Sequence, residues 1–248
     1  FIAMLALNMS KEVLSAFGFM NEKLTENNIS TIDKNNQAYA NLATKAVDQP
    51  EKFNVLNTQA LQIKTYSSDF YTYLEDLKTN MTADLDNKKD YESMDKTAFL
   101  DEYFFKGDKF TDEGNQFLAQ INGFRTNLTN VLGENKQFDN ILVKRFSTNV
   151  VTNRDGKKVK WLDYRFKGFP LVASLTNLTQ MQADIKNTEA DIISNLLGGQ
   201  LESEVSMTNY NGIVNLKKNA FYPGDKVEGT VVLGRYDPSL RPSRVVLN

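Results

Sequence analysis

The side chains of this chain that could do chemistry are carboxylates, amines and phenols, because its 248 residues include neither histidine nor cysteine. Ser–His and Cys–His nucleophilic catalysis are excluded within the chain, as are His-ligated metal sites and disulfides. Acid–base work would fall to Asp, Glu, Lys or Tyr. Asp84, Asp86 and Asp90 surround Lys88 and Lys89. A calcium loop needs a glycine at its bend and a closing Glu, and this cluster has neither, so it reads as a solvated turn. The pairs Asp101-Glu102 and Asp112-Glu113 fall in or near first helical turns, where they favour the helix dipole. Neither a phosphate-binding loop nor a dinucleotide fingerprint occurs, and Gly198-Gly199 reads as a helix end. Asn80-Met81-Thr82 is one of the triplets that an Asn-rich sequence carries by chance. The sole tryptophan, Trp161, reads as a packing anchor, with ligand binding as the alternative. The expectation is a protein that is not an enzyme and that needs no cofactor and no metal.

The net charge of −2 gives no reason to expect nucleic acid, whose binding surfaces are strongly basic. Glycine and proline divide the chain in two. No Gly occurs between Gly18 and Gly107, no Pro between Pro50 and Pro170, and three of the five prolines follow Tyr222. A long helical region is therefore expected to precede the start of a β region. The first stretch, FIAMLALNMSKEVLSAFGFMNEKL, opens with seven uncharged apolar residues. That is short of the roughly 20 needed to cross a bilayer. Two readings stand: the outer end of a membrane helix that begins upstream, or an amphipathic core helix. Met9, Val13, Phe17, Met20 and Leu24 recur at spacings of three and four, one stripe of a helix over residues 1–47 that is weakest at 27–30.

Asp48-Gln49-Pro50-Glu51 reads as a capped helix start. Phe53, Leu56, Ala60, Ile63, Phe70, Leu74, Leu77 and Met81 then keep a heptad-like rhythm with a polar gap at Ser67. Residues 96–105 read as a short aromatic helix stopped by Gly107. Thr111 caps the next helix, whose stripe is Phe117, Ile121, Phe124, Leu128 and Val131, ended by Gly133. Another helix spans 137–146. Asn153-Arg154-Asp155-Gly156 between β-prone runs predicts a hairpin with Trp161 in its second arm. Pro170 opens a last long helix with Leu171, Leu175, Leu178, Ile185, Ile192 and Leu196 as a bundle or dimer seam. Gln182 and Glu189 share that register and read as partly exposed, with the setting of register or oligomeric state as the alternative. Beyond residue 200 the pattern alternates, with one or two strands over residues 204–216 around Asn211-Gly212 and a turn at Tyr222 to Asp225. Strands at 226–235 and 245–247 are the beginning of a sandwich-like β domain, since two or three strands are not stable alone.

Three stretches, IAMLALNMSKEVLSAF, KGFPLVASLTNLTQMQADIKNTEADIISNLLG and FYPGDKVEGTVVLGRYD, resemble the GldM/PorM family of the Bacteroidetes type IX secretion and gliding-motility system. The resemblance spans nearly the whole chain in consistent order. It implies a single-pass inner-membrane protein with its bulk in the periplasm: residues 1–20 as the outer membrane helix and membrane exit, 21–200 as a helical bundle, and 201–248 as a truncated β domain. It implies a homodimer that turns or moves inside a proton-driven GldL-like ring in the bilayer and engages outer-membrane-associated rings, with no nucleic acid and no small-molecule substrate. Phe1, Ile2, Met4 and Leu5 would pack against the ring or second copy, and Ala3 and Ala6 would allow close approach. Met9, Val13 and Phe17 would form the shaft at the membrane exit. The family's membrane arginine would lie upstream of Phe1. The competing reading is a membrane-anchored periplasmic sensor bundle; a carboxylate enzyme is a third, but no acidic pair is singled out for it.

Overall fold

The computed structural model describes residues 10–133, 136–205, 210–218 and 220–235. Helix α1 (Lys11–Asp48) turns through Gln49 into α2 (Pro50–Met81). A loop with a 3-10 turn (Tyr91–Ser93) leads to α3 (Ala98–Phe104) and a tight hairpin, β1 (Phe105–Lys106) and β2 (Lys109–Phe110). Then come α4 (Asp112–Leu132), α5 (Lys136–Phe146), a second small hairpin of β3 (Val151–Thr152) and β4 (Lys158–Val159), and α6 (Trp161–Phe166). Helix α7 (Leu171–Val205) precedes an antiparallel pair, β5 (Tyr210–Leu216) and β6 (Gly229–Arg235). The fold is thus an elongated helical region followed by strands, as expected. Among the described residues no helix is long and apolar enough to cross a membrane.

The expected stripes of α2 and α4 face the core. Phe53, Ala60, Ile63, Phe70, Leu74, Leu77 and Met81 are buried, and so are Phe117, Ile121, Phe124 and Leu128. Ser67, the polar gap, is buried with them. An aromatic cluster joins α3, α4 and α6: the rings of Phe104 and Phe117 lie 4.9 Å apart and each meets Phe166 edge-on. Thr111 caps α4, accepting from the Gly114 N–H at 3.0 Å. Gly133 ends that helix at φ 66°, a left-handed backbone that glycine adopts freely.

Several boundaries differ from the sequence expectation. Ser10 is extended (ψ 148°) and α1 starts after it, so no helix runs unbroken through residues 1–47. Residues 27–30 do not break α1, and Asn28 there is buried and bonded across the bundle. The cap of α2 is Gln49, with Asp48 still inside α1 and no side-chain capping bond. Gly107 does not stop a helix; it turns the β1–β2 hairpin at φ 64°. The second arm of the β3–β4 hairpin ends at Val159, and Trp161 opens α6 instead, stacking on Phe117. Helix α7 continues through Gly198-Gly199, at a helix-propensity cost of about 1 kcal/mol per glycine. Asn211-Gly212 lies inside β5. The turn at Tyr222 is present, with the Asp225 N–H donating to the Tyr222 carbonyl at 3.0 Å. Residues 237–248, with the third expected strand, lie outside the described residues.

The loop after α2 closes over the start of α1. Tyr91 lies on Gly18 so closely that a Cβ there would come within 2.0 Å of its ring. The Tyr91 hydroxyl donates to Glu22 at 2.9 Å, and Lys11 pairs with Glu92 at 3.1 Å. Gly18→Ala is expected to lift this loop and lower stability by about 1–3 kcal/mol, the range of overpacked cores. Thermal unfolding of the variant checks this, and an unchanged midpoint would contradict the packing.

Candidate functional site

Helix α7 is buried on three stripes, each with a seven-residue repeat. Leu171, Leu178, Ile185 and Ile192 form the apolar one; the last three are buried and Leu171 is half-buried in the main core. Leu175, also buried, heads a second stripe that continues through Gln182 and Glu189 to Leu196. Val172, Thr179, Lys186 and Ile193 make the third, all buried. Gln182 and Glu189, expected to be partly exposed, are 0% and 2% exposed. Burial is tolerable because each is fully engaged.

The inward face of α1 repeats in step. Leu14, Asn28, Asn35 and Leu42 are buried and Asn21 is half-buried, all spaced by sevens. The two helices run parallel and are bonded across at successive levels. The Thr176 hydroxyl donates to the Phe17 carbonyl at 3.0 Å, and Thr179 donates to the Asn21 side chain at 2.6 Å. The amides of Asn28 and Asn35 donate to the carbonyls of Thr179 and Lys186 at 3.2 and 3.0 Å. Higher still, the Tyr39 hydroxyl donates to one Glu189 oxygen at 2.7 Å, while Lys186 Nζ donates to the other at 2.8 Å. Helix α2 joins antiparallel: Gln182 donates to Glu75 and accepts from Lys78, both at 2.9 Å. Arg145 ties α5 to the same helix through Thr188 and Asp191, both at 2.8 Å.

This ladder specifies alignment more than it adds stability. A net hydrogen bond contributes about 0.5–1.5 kcal/mol, but a buried donor stripped of its partner costs about 1–3. Sliding α1 along α7 by one turn, about 5.4 Å, strands the Asn28 and Asn35 amides and the Tyr39 hydroxyl, at a cost on the order of 3 kcal/mol or more, while Thr176 and Thr179 keep their bonds to the Val172 and Leu175 carbonyls. Polar residues at heptad seam positions fix register in coiled coils for the same reason.

The sequence-predicted exit residues lie elsewhere. Val13 and Met20 are exposed and Phe17 is half-buried. Phe1, Ile2, Ala3, Met4, Leu5, Ala6 and Met9 lie outside the described residues. Asp101 accepts from the Gly168 N–H at 2.8 Å, and Asp112 and Glu113 sit in the first turn of α4. The apolar stripe of α1 drew attention away from the inward one. The signal for the ladder was present as asparagine repeated every seven residues between two leucines.

The GldM N-terminal domain family matches residues 12–199, and the GldM second domain family matches residues 201–248. The chain belongs to the GldM family. GldM proteins are membrane-anchored structural components of gliding-motility and type IX secretion machinery. A comparison with curated protein sequences finds no match. The ladder occupies the GldM N-terminal domain, and α7 runs on into the start of the second-domain match.

Glu189→Ala strands Lys186 and Tyr39 together and is expected to cost about 3–5 kcal/mol, as for a broken buried pair. Replacing all three polar groups at once (Tyr39→Phe, Lys186→Met, Glu189→Leu) is expected to recover most of that loss in chemical denaturation; equal losses in both variants would contradict the pairing. Alkaline pH gives a second check. Burial, reinforced by Glu189, pushes the Tyr39 phenol far above its usual range, and burial with the Glu22 hydrogen bond pushes Tyr91 up to about 12. Above pH 10 the unfolded chain loses these protons while the folded one keeps them. Stability is therefore complete below about pH 10 and falls above it, by about 1.4 kcal/mol per pH unit for each phenol. Tyr39→Phe is expected to flatten the alkaline limb of unfolding midpoint against pH.

Proposed function

We propose that this GldM-family chain is the membrane-adjacent part of a periplasmic shaft. It passes mechanical energy from a proton-driven GldL-like ring in the inner membrane to the outer-membrane-associated secretion and gliding machinery, and it works as a homodimer. In this reading residues 1–20 leave the membrane, 21–200 form the bundle and 201–248 begin a β domain. Phe1, Ile2, Met4 and Leu5 pack against the ring or the second copy, Ala3 and Ala6 let helices approach, and Met9, Val13 and Phe17 continue the path outward.

The observation that carries this reading is the parallel pairing of α1 and α7 through the buried ladder. At 1.5 Å per residue the 38 and 35 residues of the two helices span about 57 and 52 Å. A load entering at the start of α1 can move to α7 without slip, because each rung opposes displacement along the axis. Helix α7 then delivers it to the second domain. In this reading the joint at which load enters is the extended Ser10 just before α1, and the Gly18–Tyr91 contact and the Lys11–Glu92 pair grip the helix beside it.

Ile29 is exposed in the middle of α1, so proline there breaks the rod and disturbs the neighbouring Asn28 rung while removing no apolar side chain from the core. Ile29→Pro costs about 3 kcal/mol or more of helix and is expected to abolish secretion and gliding while the protein still accumulates in the membrane. Ile29→Ser is expected to keep both. Wild-type secretion by the proline variant would sink the shaft reading.

A further inference from the structure

The segment between α5 and α7 stands apart from the bundle in charge. Between residues 150 and 170 lie six cationic side chains and two acids, in a chain whose net charge is −2. Two of the six are engaged. Lys160 donates to the Asp108 carbonyl and lies 4.7 Å over the Phe110 ring; Lys167 pairs with Asp163 at 3.6 Å and lies 5.5 Å over Phe105. Arg154, Lys157, Lys158 and Arg165 have no ion pair among the described residues and are all exposed.

Beside the β3–β4 hairpin and α6 runs a groove of about 590 Å³, inside the range of ligand clefts, roughly 300–1,000 Å³. Three cations, Arg154, Arg165 and Lys167, and two acids, Asp155 and Asp163, stand on its walls with Tyr164 and Phe169, which are 40% and 36% exposed. Arg165 and Asn177 also border a smaller notch that reaches Trp161, Met181 and Asp184. Aromatic surface and exposed guanidinium groups without an ion pair among the described residues therefore meet along one concave path in which cations outnumber acids. Guanidinium groups recognise carboxylates with two parallel hydrogen bonds, and exposed rings beside them supply apolar contact. An interface that combines arginine with aromatic anchors has the composition of a binding hot spot.

We propose that this groove docks an extended acidic segment of a partner protein, with carboxylates on Arg154 and Arg165 and an aromatic or large aliphatic side chain against Tyr164 and Phe169. The charge of the groove selects the acidic partner, since the rest of the chain is negative and repels one. At the inner end Asp184 limits how deep a carboxylate reaches. Burial holds its own carboxyl above the usual carboxylate range, so the notch favours an uncharged side chain. The site shares helix α7 with the ladder through Asn177, Met181 and Asp184 but uses none of the α1–α7 rung residues, and it does not depend on the shaft reading.

The sole tryptophan lines the notch and reports on it directly. The experiment is a titration of Trp161 fluorescence in this chain with the peptide Glu-Phe-Glu-Phe-Glu, alongside Lys-Phe-Lys-Phe-Lys and vesicles of anionic phospholipid. Saturable change with the acidic peptide alone is expected. The apparent Kd should rise at least tenfold in the double variant Arg154→Glu/Arg165→Glu, and should rise as salt goes from about 0.01 to about 1 M, where the screening length falls from roughly 30 to 3 Å. Both arginines are exposed, so the variant keeps its core, and calorimetry with the same peptides gives a readout that does not use the indole. Equal binding of both peptides, undiminished binding by the double variant, no saturation with the acidic peptide, or a response to vesicles alone would each overturn the proposal.

Discussion

A buried amide or ammonium group tolerates only the alignment that keeps its partner, and the rest of this structure depends on that constraint. Apolar seams are forgiving: a leucine moved by one helical turn meets another leucine. The contacts of Asn28, Asn35 and Tyr39 across to α7 have no such second solution. They turn two long helices, which hydrophobic burial alone would hold together loosely in register, into one element with a defined axial position. The cost is a core with lower intrinsic stability than an all-apolar one. The return is resistance to sliding.

The remaining elements support that pair. Helix α2 covers it antiparallel and satisfies Gln182 through Glu75 and Lys78, where the two hydrogen bonds hold the Glu75 carboxyl below its usual range despite the opposing effect of burial. The aromatic cluster of Phe104, Phe117 and Phe166 fixes α3, α4 and α6 against the flank near the start of α7. The loop carrying Tyr91 closes the end where α1 begins. Membership of the GldM family gives this architecture a setting in a secretion and gliding machine. The ladder holds the two long parallel helices of its first domain in one axial register.

The helix that crosses from the first domain match to the second adds a further contrast. At Gly198 a Cβ would meet nothing, and the backbone is not in a left-handed conformation there. Neither packing nor dihedral strain requires glycine at that position. The stiff, cross-bonded part of α7 therefore gives way to a stretch whose helix is intrinsically weaker.

Periodicity and breakers determined much of this protein from sequence. The glycine-free and proline-poor first half announced long helices, and the stripes of α2 and α4 were legible because large apolar residues recur at core spacing. Thr111, Gly133 and the Tyr222 turn were legible because their chemistry is local. The family resemblance rested on long stretches and held. Tertiary structure alone decided the site. Whether Gln182 and Glu189 face water or a partner depends on side chains more than 100 residues away. A polar residue in a seam reads as exposed until those partners are in place. Trp161 became helical because its ring stacks on Phe117, which overrides the β propensity of its neighbours. Gly198-Gly199 stayed helical for a simpler reason: glycine weakens a helix by about 1 kcal/mol per residue, too little to end one that the bundle already holds.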